Sequence, residues 1–219
     1  MRRKVEIEQM PHSIYFSSTP LQTDEFTNVF ADPRLPTFGY RIINNETAKL
    51  SAMHKTNAFG SEDNYIRRRM EWGLAEGYNE VGDQIPLQMN GDLLNGISFE
   101  KGCYIGQELI ARTHHAGIVR RRVLPFRIAQ TSSLSSSSGD ATNFAKLVGR
   151  TLVSDANDPA GDNNGNDVGK SRRQGRVLNV HGDRGIALVS LAYAGRFLLT
   201  EMGQRLEVFL PKWWPNKLI

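Results

Sequence analysis

Asn95-Gly-Ile-Ser-Phe-Glu-Lys-Gly-Cys-Tyr-Ile-Gly-Gln-Glu-Leu-Ile-Ala-Arg-Thr-His-His115 contains the single cysteine of the 219-residue chain and divides two kinds of sequence. Asn95-Gly96 is a turn that feeds the short extended piece Ile97 to Phe99. From Gly106 to about Thr113 the spacing predicts a helix, with Glu108 and Arg112 paired at i,i+4, and His114-His115-Ala-Gly117 ends it. Before this stretch, strand and helix signals alternate. After it come only short β-prone runs and glycine-bearing turns. The expected fold is therefore α+β: a mixed domain over 1–116, then a small all-β barrel or sandwich over 117–219.

On the N-terminal side, Val5 and Ile7 alternate with charged residues as a half-buried strand, and Ser13 to Ser17 reads as its neighbour. Gly39 to Ile43 follows the Asp32-Pro-Arg-Leu-Pro36 turn as another strand. From Ser61, a candidate N-cap, the period becomes helical. Glu62 and Asp63 suit the positive end of the dipole, and Ile66, Met70 and Leu74 form one buried stripe. Gly73 and Gly77 end the helix. On the C-terminal side, Ile118 to Ile128 reads as a strand, an edge or bent one because of Pro125. Further strands are expected at Leu147 to Val153, Gln174 to Val180, Gly185 to Leu191, Arg196 to Leu199 and Leu206 to Leu210. Polar loops near 131–140 and 156–167 interrupt them.

Composition bounds the function. With 39% hydrophobic and 23% charged residues the chain is an ordinary globular protein, and no apolar run approaches the ~20 residues of a membrane span. A lone cysteine excludes an internal disulfide and fits a reducing compartment. The net charge of +4 is concentrated in Arg2-Arg3-Lys4, Arg67-Arg68-Arg69 and Arg120-Arg121-Arg122. No zinc-finger, helix-turn-helix or RNP pattern accompanies these runs, so a nucleic-acid partner is not expected. An anionic small molecule or an acidic protein fits the charge as well.

Cys103 is the chemistry-bearing position. A buried, inert thiol is the commonest fate of a free cysteine. Against that, Lys101 is close in sequence and a helix start follows, and both favour the thiolate that ligates metal or attacks. A cluster bound through one thiol needs its other ligands from elsewhere.

Lys101, Gly102, Cys103, Tyr104, Gly106, Gln107, Glu108 and Arg112 match, without a gap, the signature of the folate-binding YgfZ family, relatives of the glycine-cleavage T-protein. The fuller run from Asn95 to His115 resembles that family's mitochondrial iron–sulfur assembly branch. Arg69-x-x-x-Gly73-x-x-Glu-Gly77, Pro86-x-Gln-x-Asn90 and Trp213-Trp-Pro215 extend the resemblance, as does Arg2-Arg-Lys-Val5. It implies part of a T-protein-like folate-binding domain followed by a small β-barrel. It also implies an accessory factor for 4Fe–4S assembly in the mitochondrial matrix, not an enzyme. Cys103 would hold a cluster shared with an A-type carrier protein on its way to target enzymes. Glu71, at the position where relatives place a glutamate on the pterin ring, together with Asn90 and Arg112, would contact tetrahydrofolate. Arg112 and the Arg67 to Arg69 run suit a glutamyl tail.

The family's members begin with a further half-domain, and this chain opens inside their pattern, so either a fragment or a gene product that has lost that half is expected, without an import segment. The transferase's catalytic aspartate lies in that preceding half. A tetrahydrofolate-dependent aminomethyltransferase is therefore the alternative reading, and a plain interaction module the third. His114-His115 are expected to cap a helix rather than bind a metal, since adjacent side chains diverge. Trp213-Trp214 are expected as a packed anchor.

Overall fold

The computed structural model describes residues 13–17, 27–44, 62–115, 117, 119–129, 144–155 and 173–216. The strand expected around Val5 and Ile7, the N-cap Ser61 and the loops at 131–140 and 156–167 lie outside them. The chain forms two compact units, 1–65 and 66–219. The boundary expected at 116/117 falls just before the first barrel strand, and 66–115 group with the barrel.

In the first unit, β1 (Ser13–Ser17), β2 (Thr27–Ala31) and β3 (Tyr40–Asn44) form an antiparallel sheet in the order β1-β3-β2. The sequence reading missed β2. Phe16, Phe38 and Tyr65 pack together, with ring centroids 4.9 to 6.1 Å apart. The turn after β2 is fixed by Asp32, fully buried, which accepts hydrogen bonds from the backbone and guanidinium of Arg34 and from Arg41 Nε. Burial raises the pKa of Asp32, but these bonds and the Arg34 charge outweigh it and hold the carboxyl at about 2.

Helix α1 (Glu62–Glu71) carries Glu62 and Asp63 in its first turn and Arg68 and Arg69 in its last, as the dipole favours. It ends in a Schellman motif: the Gly73 N–H donates to Met70 O and the Leu74 N–H to Arg69 O. Gly73 sits at φ +66°, and a Cβ there would lie 2.8 Å from Pro125 Cδ, so both conformation and packing require glycine. The stripe Ile66, Met70, Leu74 turns inward, Met70 and Leu74 being fully buried. Met70 joins Val123, Leu178 and Ile186 in a core between α1 and the outside of the barrel.

The barrel closes in the order β4-β7-β6-β5-β8-β9, with β9 returning to β4. Its strands are β4 (Arg121–Ile128), β5 (Thr151–Ser154), β6 (Arg173–His181), β7 (Arg184–Ser190), β8 (Phe197–Thr200) and β9 (Arg205–Val208). Leu124, Phe126, Leu152, Val177, Ala187, Val189, Leu198, Leu206 and Val208 fill its interior. All neighbouring pairs are antiparallel, so alternate residues point in and out.

Of the two alternatives that Pro125 suggested, an edge or a bent strand, the edge is excluded, because β4 pairs with both β7 and β9. Pro125 O accepts the Phe209 N–H, on the β9 side. A residue's N–H and C=O face the same way in such a ladder, so the missing N–H falls just past the last β4–β9 pair, Phe126 with Val208.

Candidate functional site

The turns of 85–95 are clamped to β4 through the backbone of Val123 and the side chain of Arg122. Val123 N–H donates to Gln88 O, and the buried Arg122 makes a bidentate bridge to Asp92 at 2.7 and 2.8 Å and a third bond to Leu87 O. Asn90 is fully buried, its Nδ2 donating to Val123 O at 2.8 Å. Its backbone takes φ 60°, a left-handed conformation that asparagine tolerates. The candidate folate contact Asn90 is thus an internal bracket between this segment and the barrel.

From this platform the chain runs outward. None of residues 95–115 is buried. Cys103 is exposed, with Ile105, Leu109 and Phe99 among the exposed apolar side chains of the same segment. The signature residues build the turn that feeds α3 (Gln107–His115). Gln107 N–H donates to Tyr104 O at 3.2 Å, and Gln107 Oε1 accepts the Tyr104 N–H at 3.3 Å. Gly106 sits at φ +89° as the third residue of this turn, where a β-carbon would be strained. Lys101 places its ammonium 4.4 Å from the centre of the Tyr104 ring, a cation–π contact, with Cys103 between the two in sequence. The helix starts four residues after the thiol, at Gln107.

Glu108 and Arg112 are both exposed on α3 and make no ion pair with each other among the described residues. The expected i,i+4 pair does not form. Such exposed pairs are worth only a few tenths of a kcal/mol and do not hold two long side chains in place. His114 stacks on Phe99 at 3.8 Å, with His115 edge-on to it at 5.4 Å. Both occupy the last turn of α3. Among the described residues no three His, Cys, Asp or Glu side chains gather into a metal site.

Glu71, at the end of α1, meets two guanidinium groups: Arg184 Nη1 at 2.9 Å and Arg127 Nη2 at 3.7 Å. The Arg184 contact is an ion pair without hydrogen-bond alignment, leaving Arg184 Nε and Nη1 buried without an acceptor. The Arg67 to Arg69 run is split three ways. Arg67 pairs with Asp183 at 3.4 Å, and Arg68 lies over Trp72 at 4.9 Å, with burial lowering its pKa against the opposing charge of Glu71. Arg69 is buried in a bidentate bridge to Glu80 in the short helix α2 (Tyr78–Val81). Asn179 of β6 donates to the same Glu80 carboxylate. The run therefore offers no continuous cationic strip for a glutamyl tail. Sequence reasoning missed Arg184 and Glu80, since nothing local marks a charge whose partner lies on a distant element.

Trp213 and Trp214 pack at 5.6 Å, and Trp213 Nε1 donates to Trp72 O at 2.9 Å. Trp213 thus ties the segment after β9 to the residue following α1, while Trp214 is buried in the barrel core.

Residues 120–216 match the family model of the CAF17 C-terminal beta-barrel domain, the segment that closes as the barrel. A mitochondrial protein of Neosartorya fischeri named iron-sulfur cluster assembly factor IBA57 homolog is 34% identical over 197 residues, 86% of this chain and 42% of that protein. A homolog of the same name in Neurospora crassa is 46% identical over 96 residues, 43% of this chain and 22% of that one. Residues 120–216 thus match the CAF17 barrel family, and most of the chain is similar to IBA57 proteins. The mouse IBA57 protein is 34% identical over 142 residues, 58% of this chain and 39% of its own length. The chain thus spans well under half the length of the curated IBA57 relatives it matches. The family match covers the barrel directly, and the exposed Cys103 segment precedes it.

Proposed function

We propose that this chain acts in mitochondrial iron–sulfur cluster assembly, in the matrix, as an accessory factor rather than an enzyme. Cys103 supplies one thiolate to a 4Fe–4S cluster whose remaining ligands come from an A-type carrier protein, before delivery to a target enzyme. The observation that carries the proposal is the exposure of the chain's single thiol on an outward-running segment. The names of the IBA57 relatives support the pathway.

The step is ligand exchange. The Cys103 thiol loses its proton to water and an Fe–S bond forms. A carrier thiolate departs and takes up a proton, and the iron oxidation states are unchanged. An exposed thiolate can approach a cluster still held by another protein, whereas a buried one cannot. Anaerobic mixing of the cluster-loaded carrier with wild type and Cys103→Ser, followed by visible circular dichroism, tests this. Loss of the shared-cluster spectrum in the variant is expected, and an identical spectrum removes Cys103 from the reaction.

Tetrahydrofolate chemistry has less support. Glu71, though half-exposed, is paired with Arg184 and Arg127, the Asn90 amide is turned inward, and Arg112 is exposed. Saturable tetrahydrofolate binding that is lost in Glu71→Ala would restore the aminomethyltransferase-type reading.

A further inference from the structure

Arg120, Arg121, Lys146, Arg150, Arg173 and Arg176 are all exposed, and among the described residues none of them makes an ion pair with a carboxylate. The barrel gathers them. β5 and β6 are paired with a bulge: Leu152 faces Gly175, but Val153 faces Arg173, so Gln174 is an extra residue. Arg173 and Arg176, three apart, would lie on opposite faces of a regular strand. The bulge puts them on the same face as Val153 and Thr151, whose intervening neighbour Leu152 points into the barrel. Both arginines therefore stand on the outer wall.

Across β7, Arg121 is in register with Ser190, and its Nη2 reaches Arg173 O at 3.5 Å. Arg176 is in register with Leu188 on one side and Thr151 on the other. Arg150 stands next to Thr151, its Nε donating to Lys146 O and its own carbonyl accepting the Val177 N–H. The six cations thus lie within a few strand spacings of ~4.8 Å. Glu201, one residue past Thr200 in the β8–β9 turn, is exposed and unpaired among the described residues. Like charges this close repel, and an external anion relieves the repulsion.

We propose that this outer wall, across β4, β7, β6 and β5, is a docking surface for a carboxylate-rich segment of a partner protein. Five of the six cations are arginine, the cation enriched at protein interfaces and matched to carboxylates by its two-pronged geometry. The exposed phenylalanine and tyrosine rings of the described residues, Phe30, Tyr78 and Phe99, all lie outside the barrel strands, so the patch offers no platform for stacked bases. An extended acidic segment places alternate carboxylates ~7 Å apart on one side, a spacing that suits cations on neighbouring strands. The proposal stands on charge and register, not on the cluster reading.

The test is fluorescence anisotropy of the full chain with a labelled oligo-glutamate peptide, at low and at physiological ionic strength. Binding is expected, weakening with salt as the screening length shortens to about 8 Å. Arg173→Glu/Arg176→Glu is expected to weaken it about tenfold or more, Arg173→Gln/Arg176→Gln less, and Lys212→Glu, beside the Trp213–Trp72 contact, not at all. Thermal melts of each variant separate lost binding from lost folding. No binding, an equal loss in Lys212→Glu, or tighter binding of oligo-uridine RNA or phosphatidylserine vesicles than of the peptide would overturn the proposal.

Discussion

Arg69 and Glu80 face each other inside the protein at 2.6 and 2.9 Å, with Asn179 on the same carboxylate. Removing one member strands a buried charge, so Glu80→Ala is expected to cost about 3–5 kcal/mol, read as a shift in the urea midpoint. Asp32 gives a pH-dependent counterpart. Its pKa is depressed from 3.8 to about 2, so its contribution is fully present above pH 3.8 and is lost as pH falls through about 2. The size is roughly 2 kcal/mol. Denaturation midpoints measured across that window should fall for wild type, whereas Asp32→Asn should begin lower and change less. Gly102 behaves differently, since a Cβ there would meet no atom within 4 Å. Gly102→Ala should leave stability unchanged, and a melt checks it. Any loss of cluster transfer in that variant would then report on what approaches Cys103.

Among the elements, α3 buries none of its residues, while β7 buries most of its own. Amide exchange in α3 should be far faster than in β7. Phe99→Ala, which removes the ring beneath His114, should speed it further without moving the barrel's unfolding midpoint. Gly175, at the β5–β6 bulge, is the opposite case. A methyl group there would collide with the Leu188 carbonyl and stand 2.8 Å from Val189 Cγ1. Because the first obstacle is backbone, Gly175→Ala should cost about 1–3 kcal/mol, and thermal melts would show it. The strands and long helices were legible because their apolar spacing is local: the Ile66, Met70, Leu74 stripe and the run Gly185 to Leu191 each state their own period. β2 was not, since Thr27 to Ala31 is short and weakly alternating. The bulge at Gln174 was not either, because only the partner strand reveals which residue is extra.

For the whole molecule, the barrel could be read from the sequence, while the placement of charge could not. Arg122 and Arg69 belong to the basic runs that concentrate the net charge, yet each is buried against a carboxylate on another element. Asn90 and Glu71 looked like ligand contacts and are held by neighbours supplied at long range. A closed ring also has a final seam, here β4 against β9, the first and last strands of the barrel in the chain. A ribosome releases Phe126 and Ile128 before it has made their partners Val208 and Leu206. At roughly 5–20 residues per second, the nascent chain carries that apolar flank bare for seconds. During synthesis the first barrel strand lacks one of its two neighbours until the last strand emerges.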